Sequence, residues 1–210
     1  MKFSRVIFLV GLGLNGSLFA QAADPFQPDI PAPLVAKVED AKRKQADGRD
    51  LPAAEAELQA VIKERPDYYR ALFNLGLVYQ AQGKNDQALQ TLEKAKNLRD
   101  TLHISDSSIL NSIGWVYMNS GKFDEAESNF LAALKEGHED AVNTQRLLNN
   151  LGYLYLQKGD TGKSRFYLEK AINEYQSTGA QRLLKMADEY DEREKAHKQK
   201  ISSPKPPPSG

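Results

Sequence analysis

Cysteine is absent from the 210-residue sequence, and histidine and tryptophan are scarce, with three and one. Without cysteine the chain has no disulfide, no thiolate metal ligand and no lipidated cysteine of a bacterial lipoprotein. His103, His138 and His197 are widely separated along the chain, so we expect no metal site. The Ser and Asp residues that follow His103 and His138 are sequence neighbours, which do not make a catalytic triad. We therefore expect no catalytic residues and no cofactor.

Neither positive nor negative charge is in excess. The sequence has 28 basic and 28 acidic residues, so its formal net charge is zero. Nucleic-acid binding needs a basic stripe or patch, which this balance does not supply, and we expect no nucleic-acid partner. A glycine-rich phosphate loop is missing too, because Gly11-Leu12-Gly13 belongs to an apolar N-terminal stretch.

The N-terminal stretch has the pattern of a cleavable signal peptide over residues 1–22. Lys2 and Arg5 precede an apolar run from residue 6 to 14, and Ala20-Gln21-Ala22 supplies a small-x-small cleavage site. An uncleaved anchor is the alternative, but the apolar run is shorter than the ~20 residues of a spanning helix. The rest of the chain has no Asn-x-Ser/Thr sequon. We predict cleavage after Ala22, export to a bacterial periplasm and no membrane span afterwards.

One pattern returns every 38 residues through the middle of the chain. Gly76, Gly114 and Gly152 each follow an apolar residue and precede a tyrosine by three positions, on a predicted amphipathic helix. A glycine inside a helix costs about 1 kcal/mol relative to alanine, so we expect a neighbouring helix too close for a Cβ. After a short turn, a second helix repeats a small-large-small spacing at Ala88, Leu92, Ala95; Ala126, Phe130, Ala133; and Ser164, Leu168, Ala171.

This spacing resembles the tetratricopeptide repeat, in which a large residue and Leu-Gly-x-x-Tyr precede Ala, a large residue and Ala. Segments 69–106, 107–144 and 145–176 carry it, with leucine at the usual tryptophan position. Segment 35–68 keeps the second-helix pattern but has Lys42 and Gln45 in place of Gly and Tyr. The resemblance implies an all-α, right-handed superhelix of about four helical hairpins over residues 34–176.

The segments that flank the array have different compositions. Residues 23–33 contain four prolines, which favours either a flexible N-terminal arm or an extended polyproline-like one. Residues 177–200 place apolar residues on one helical stripe and are predicted to form a capping helix over the last hairpin. Residues 201–210 are proline-rich, and we expect a disordered tail.

The resemblance further implies a concave groove, lined by the first helix of each hairpin, that holds a peptide or a partner helix. The predicted groove residues lie beside the packing stripe of these helices. They are Arg70, Phe73, Leu77, Asn111, Trp115, Met118, Arg146, Asn149 and Tyr153.

Five side chains of this set have a second interpretation. Trp115 is either a binding hot spot or a residue packed against the adjacent repeat. Asn111 and Asn149 either hydrogen-bond a peptide backbone or form a polar groove edge, and Arg70 and Arg146 either receive a carboxylate or remain solvated. The predicted function is a non-catalytic periplasmic adaptor or assembly factor that binds a protein or peptide partner. The alternative is a self-associating structural scaffold, which would be a homo-oligomer.

Overall fold

The computed structural model describes residues 23–48, 50–137 and 140–202. The predicted signal peptide and residues 203–210 of the predicted tail lie outside these ranges. Within them the chain forms nine helices and no strand, which confirms the predicted all-α class. The helices are α1 (Ala32–Asp47), α2 (Leu51–Glu64), α3 (Tyr69–Ala81), α4 (Asn85–Thr101), α5 (Ser108–Asn119), α6 (Phe123–Glu136), α7 (Ala141–Gln157), α8 (Thr161–Tyr175) and α9 (Thr178–Ser202).

Consecutive helices pair as hairpins: α1 with α2, α3 with α4, α5 with α6 and α7 with α8. The turns inside the last three hairpins contain Gly83, Gly121 and Gly159 with φ of 73°, 72° and 75°. Glycine adopts such a backbone without the steric cost that a Cβ would bring. Each hairpin packs on the next, and α9 packs on both helices of the last hairpin.

The contacts between hairpins determine which helices lie on the inside of the curve. The first helices contact one another in the order α1, α3, α5, α7 and α9. Within the described part of the chain, the second helices α2, α4, α6 and α8 make no such contacts with one another. The array therefore curves around its first helices. Their side that faces away from the second helices is called the inner face below.

The recurring glycines mark the closest approach inside each hairpin. A Cβ added to Gly76 would lie 2.6 Å from Leu92 Cδ2, and one added to Gly114 would lie 2.6 Å from Phe130 Cε1. Gly152 meets Leu168 in the same way. These three large residues of the second helices are fully buried. The expectation that a neighbour leaves no room for a Cβ is thus confirmed.

Residues 24–30, which we call the N-terminal arm, are folded against α3, so the prediction of a flexible or polyproline-like segment was wrong here. Asp24, Gln27 and Ile30 are spaced three apart, and all three are buried. Ile30 N donates to Gln27 O at 3.1 Å, which closes a compact turn. The prediction rested on the number of prolines and did not consider this spacing. The spacing gives the segment one buried side with two polar groups and one apolar group.

The loop between α4 and α5 is fixed by a buried arginine. Arg99 Nη1 donates to Asp106 O at 2.7 Å and to Glu136 Oε2 at 2.9 Å, which joins the loop to the end of α6. This loop holds residues 103–106, the last four residues of segment 69–106. The equivalent residues of the next segment, 141–144, instead form the first turn of α7, which Asp140 caps. Equivalent residues thus lie in a loop in one repeat and at the start of a helix in the other.

Candidate functional site

The predicted groove residues all lie on α3, α5 and α7, but they differ in exposure. Asn111 and Met118 are buried, with 8% and 6% of their surface accessible. Met118 lies in a core cluster with α7 residues, among them Leu147 and Leu151. The prediction treated α5 as a free stripe, whereas α7 covers these two positions. Arg146 is exposed, and the other six are half-buried: Arg70, Phe73, Leu77, Trp115, Asn149 and Tyr153.

Three apolar side chains form a ridge along the inner face. Leu77, Trp115 and Tyr153 occupy equivalent positions, 38 residues apart, in three successive repeats. The rings of Trp115 and Tyr153 stack across the boundary between α5 and α7, with centroids 6.1 Å apart and planes inclined by 29°. Trp115 also meets Phe130 edge-on at 6.4 Å. We call Leu77, Trp115 and Tyr153 the inner ridge, because each keeps part of its surface accessible there.

The indole N–H of Trp115 is satisfied by a side-chain amide of the next repeat. Trp115 Nε1 lies 2.9 Å from the Asn150 amide, in the orientation in which the Asn150 oxygen faces it. The Asn150 and Asn111 amides are in turn 2.6 Å apart. Trp115 is therefore packed against the adjacent repeat and still keeps part of its surface accessible, so its role as a binding hot spot stays a prediction.

Asn150 belongs to a recurring polar position that the sequence reasoning did not identify. Asn74, Ser112 and Asn150 are equivalent, and each donates to the backbone carbonyl four residues earlier, at 2.7, 2.9 and 3.2 Å. All three are buried. The signal was available, because a polar residue beside the packing glycines recurs at the same period of 38 residues.

Asn149, although equivalent to Asn111, is attached to the start of α9. Ser177 Oγ donates to Asn149 Oδ1 at 3.1 Å, and Ala180 N donates to Ser177 Oγ at 3.1 Å. The side chain thus joins α7 to the capping helix. Since both equivalent asparagines are engaged inside the protein, a role for either in binding a peptide backbone stays a prediction.

The two predicted arginines have different surroundings. Arg70 is paired inside the chain, with Nη1 3.3 Å from Asp24 Oδ2 and Nη2 3.4 Å from Glu39 Oε1. Arg146 is exposed, and its Nη1 donates to Asn143 Oδ1 at 3.2 Å. Of the two, Arg146 presents the more accessible positive charge on the inner face.

An open cleft continues the inner face onto α9. It has a volume of about 360 Å³ between α7 and α9. Met186 and Tyr190 line it from α9 with 47% and 41% of their surface exposed, and Leu156 lines it from α7. Glu189 and Arg193 complete the α9 side. The end of the array therefore has accessible apolar surface on the α9 side of this cleft.

Two other kinds of site are absent from the described residues. Among them, no group of three or more His, Asp or Glu side chains is arranged to hold a metal ion. None of the described helices is both long and apolar enough to cross a membrane. The chemistry of the inner face is thus that of aromatic rings, amides and an arginine, which suits non-covalent recognition of a polypeptide.

Comparison with known proteins agrees with this fold. Family models of the tetratricopeptide repeat match residues 67–135 and 145–177. The chain is similar in structure to the pilF protein of Pseudomonas aeruginosa, at 20% identity and a TM-score of 0.64, over 77% of this chain and 69% of that one. It is also similar to a thermophilic tetratricopeptide repeat protein of Thermus thermophilus, at 19% identity and a TM-score of 0.63, over 78% and 84% of the two chains. A putative kinesin light chain of Podosopora anserina matches at 16% identity and a TM-score of 0.65, over 80% and 90%. Comparison with curated proteins finds no match.

Proposed function

The chain is a tetratricopeptide repeat protein, and from this premise we propose that it acts as a non-catalytic adaptor or assembly factor. Repeats of this family indicate a role in protein–protein interaction or scaffolding. Here the partner would be a peptide or a helix of another protein, held on the inner face. The clients that suit such a protein in a bacterial envelope are components of a secretion system, a pilus, an outer-membrane assembly machine or a cell-wall synthesis complex.

The observation that carries the proposal is the inner ridge. Aromatic side chains with restricted rotamers and one polar edge are the residues that most often dominate binding energy at protein interfaces. Trp115 is held in this way by its stack on Tyr153 and by the Asn150 amide, so little conformational entropy remains to be lost on binding. The cleft beside Met186 and Tyr190 extends the apolar surface on which a partner would lie.

We propose a periplasmic location from the signal-like sequence of residues 1–22. Cleavage after Ala22 would leave the contacts of the N-terminal arm intact, because they begin at Asp24. Mass spectrometry of the protein recovered from the bacterial envelope tests this proposal. A mature N-terminus at Ala23 is expected, and a chain that still begins with Met1 would contradict it.

Position-specific photo-crosslinking tests the adaptor function. A photo-reactive residue replaces Trp115 or Arg146 on the inner face, and matched controls carry it at exposed Lys94 of α4 or Lys170 of α8, on the outer helices. We expect one dominant crosslinked protein from the inner positions that is missing from the outer ones. Identical products from both faces, or crosslinks only to the protein itself, would contradict the proposal.

A self-associating scaffold is the second candidate, and the exposed apolar residues of α9 favour it. Met186 and Tyr190 line the open cleft at the end of the array, where a second copy would bury them. Light scattering across a range of protein concentrations distinguishes the two functions. An adaptor remains monomeric without its client, whereas a scaffold gains mass with concentration and loses that gain in Tyr190→Glu.

A further inference from the structure

The N-terminal arm belongs to no hairpin, yet it carries a buried carboxylate. Asp24 accepts hydrogen bonds from Phe26 N at 2.9 Å and Gln27 N at 3.1 Å, which fold the arm upon itself. It also accepts from Tyr68 Oη at 2.7 Å and lies 3.3 Å from Arg70 Nη1. The array thus supplies a hydroxyl donor and a guanidinium to this carboxylate. Such charge-assisted contacts compensate the loss of hydration of a buried carboxylate.

The second polar side chain of the arm bonds to the backbone at the start of α3. Gln27 Nε2 donates to Asp67 O at 2.7 Å, and Gln27 Oε1 accepts from Tyr69 N at 3.1 Å. The first N–H groups of a helix have no partner within the helix, and Tyr68 at the N-cap provides none from its side chain. One amide of the arm therefore satisfies both a donor and an acceptor of the array.

The arm lies at the edge of the inner face. The Phe26 ring meets Tyr69 edge-on, with centroids 6.0 Å apart, and about half of Phe26 remains exposed. Phe26 lines two cavities, one of about 300 Å³ beside the α4–α5 loop and the start of α7 and one of about 180 Å³ beside α3 and α5. The smaller cavity is also lined by Phe73 and Ser108 of the inner face. The arm thus lies beside the part of the inner face that α3 and α5 form.

We propose that the start of α3 is a binding site for an acidic peptide segment with a carboxylate and a side-chain amide three residues apart. The arm of this chain is its resident ligand, and a partner segment of the same chemistry replaces it. The array groups that bind the Asp24 and Gln27 side chains belong to residues 67–70, and Arg65 adds an exposed ion pair with Asp29 of the arm. None of these contacts requires that the ligand be covalently attached. The tether raises the local concentration of the arm, so a competing peptide binds well only after the arm has been released. This site is separate from the inner ridge.

The test uses the full chain with a double substitution, Asp24→Ala and Gln27→Ala, which removes both buried polar anchors of the arm. The Asp29–Arg65 ion pair that remains is exposed and contributes little. Hydrogen exchange of the Tyr69 amide is expected to accelerate, because that N–H loses its acceptor. A labelled peptide of residues 23–30 is then titrated into the wild type and the double variant, with fluorescence anisotropy as the measurement. We expect at least tenfold tighter binding to the double variant, and at least tenfold weaker binding of a peptide that carries the same two alanines.

Two further variants identify the groups on the array side. Tyr68→Phe in the released background removes the hydroxyl donor and keeps the buried ring, so we expect at least a tenfold loss of peptide affinity. Lys94→Gln, on the exposed surface of α4, is the matched control and should leave the affinity unchanged. If the double variant loses its helical circular dichroism signal, Gln27→Ala alone takes its place.

Three results would overturn the proposal. Unchanged exchange at Tyr69 would mean that these bonds do not hold the arm. Equal affinity of the peptide for the wild type and the released variant, or no binding to the released variant, would mean that the contacts serve folding only. Because none of these measurements involves Trp115 or Tyr153, failure here leaves the proposed function of the inner ridge standing.

Discussion

Gly114→Ala tests the closest contact on which the hairpins depend. The new Cβ would lie 2.6 Å from Phe130 Cε1 and 2.7 Å from Cδ1. Optimal carbon–carbon separations are about 3.5–4.0 Å, so the methyl group is about 1 Å too close to two ring atoms. Phe130 is fully buried, and Trp115 lies against its ring. The ring therefore cannot rotate away into solvent, and the backbone of α5 must shift instead.

Two opposing effects determine how much Gly114→Ala changes the free energy of unfolding. Alanine in place of glycine inside a helix stabilises by about 1 kcal/mol. Overpacking of a filled core costs about 1–3 kcal/mol, and a rigid buried ring puts this contact at the upper end. The net destabilisation is then about 1–2 kcal/mol, which lowers the Tm of a domain of this size by about 2–8 °C.

Thermal unfolding followed by circular dichroism at 222 nm measures this effect, with Gly162→Ala as the matched control. Gly162 is also helical, but the atom nearest to its added Cβ is Asp160 Oδ1 at an ordinary 3.6 Å. The control should be neutral or raise the Tm slightly. If Gly114→Ala raised the Tm as well, α5 and α6 would not pack in the register described, and the steric reason given for the recurring glycines would be refuted.

Three other substitutions probe the site and its support. Trp115→Ala should lower the free energy of unfolding by about 2 kcal/mol, since removal of a half-buried ring costs about half of the 3–5 kcal/mol that a buried one costs. An unchanged midpoint of urea unfolding would place the ring outside the core. Arg99→Leu removes the guanidinium that joins the α4–α5 loop to α6, and a loss of about 1–3 kcal/mol in the same assay is expected. Burial raises the pKa of Glu127, but hydrogen bonds from Lys158 and Tyr155 outweigh it and hold that pKa below 4.5. The lowered pKa of Glu127 stabilises the folded state above pH 4.5, and this contribution is lost as the pH falls through the pKa of the folded state. Because Glu127→Gln lacks this carboxyl group, its Tm should fall less than that of the wild type below about pH 4.5.

The hairpin array was predictable because its determinants are local and repeated. Gly114 and Phe130 lie 16 residues apart, within one hairpin, and the same pair of positions recurs at Gly76 with Leu92. Because this spacing occurs three times, the contact between the two helices of a hairpin can be predicted from the sequence alone. The helical class and the close approach inside each hairpin follow directly from it.

The burial of individual groove residues was less predictable, because it depends on how one hairpin covers the next. Asn111 and Asn149 have the same position in the repeat, yet Asn111 is buried against Asn150 of α7, whereas Asn149 binds Ser177, the residue before α9. The amide contact between Asn111 and Asn150 crosses 39 residues. A pattern along a single helix carries no information about such contacts, so position in the repeat predicts the face but not the exposure.

The arm and the inner ridge together divide the inner face into two sites that one partner can link. A partner segment that lies on Trp115 and Tyr153 and also displaces the arm would gain from both contacts at once, since the second becomes intramolecular. Release of the arm by Asp24→Ala and Gln27→Ala removes its competitor, so such a partner should bind the variant more tightly than the wild type. A partner that uses only the inner ridge should bind both proteins equally. The affinity ratio between the two proteins therefore reports whether a given client extends to the start of α3.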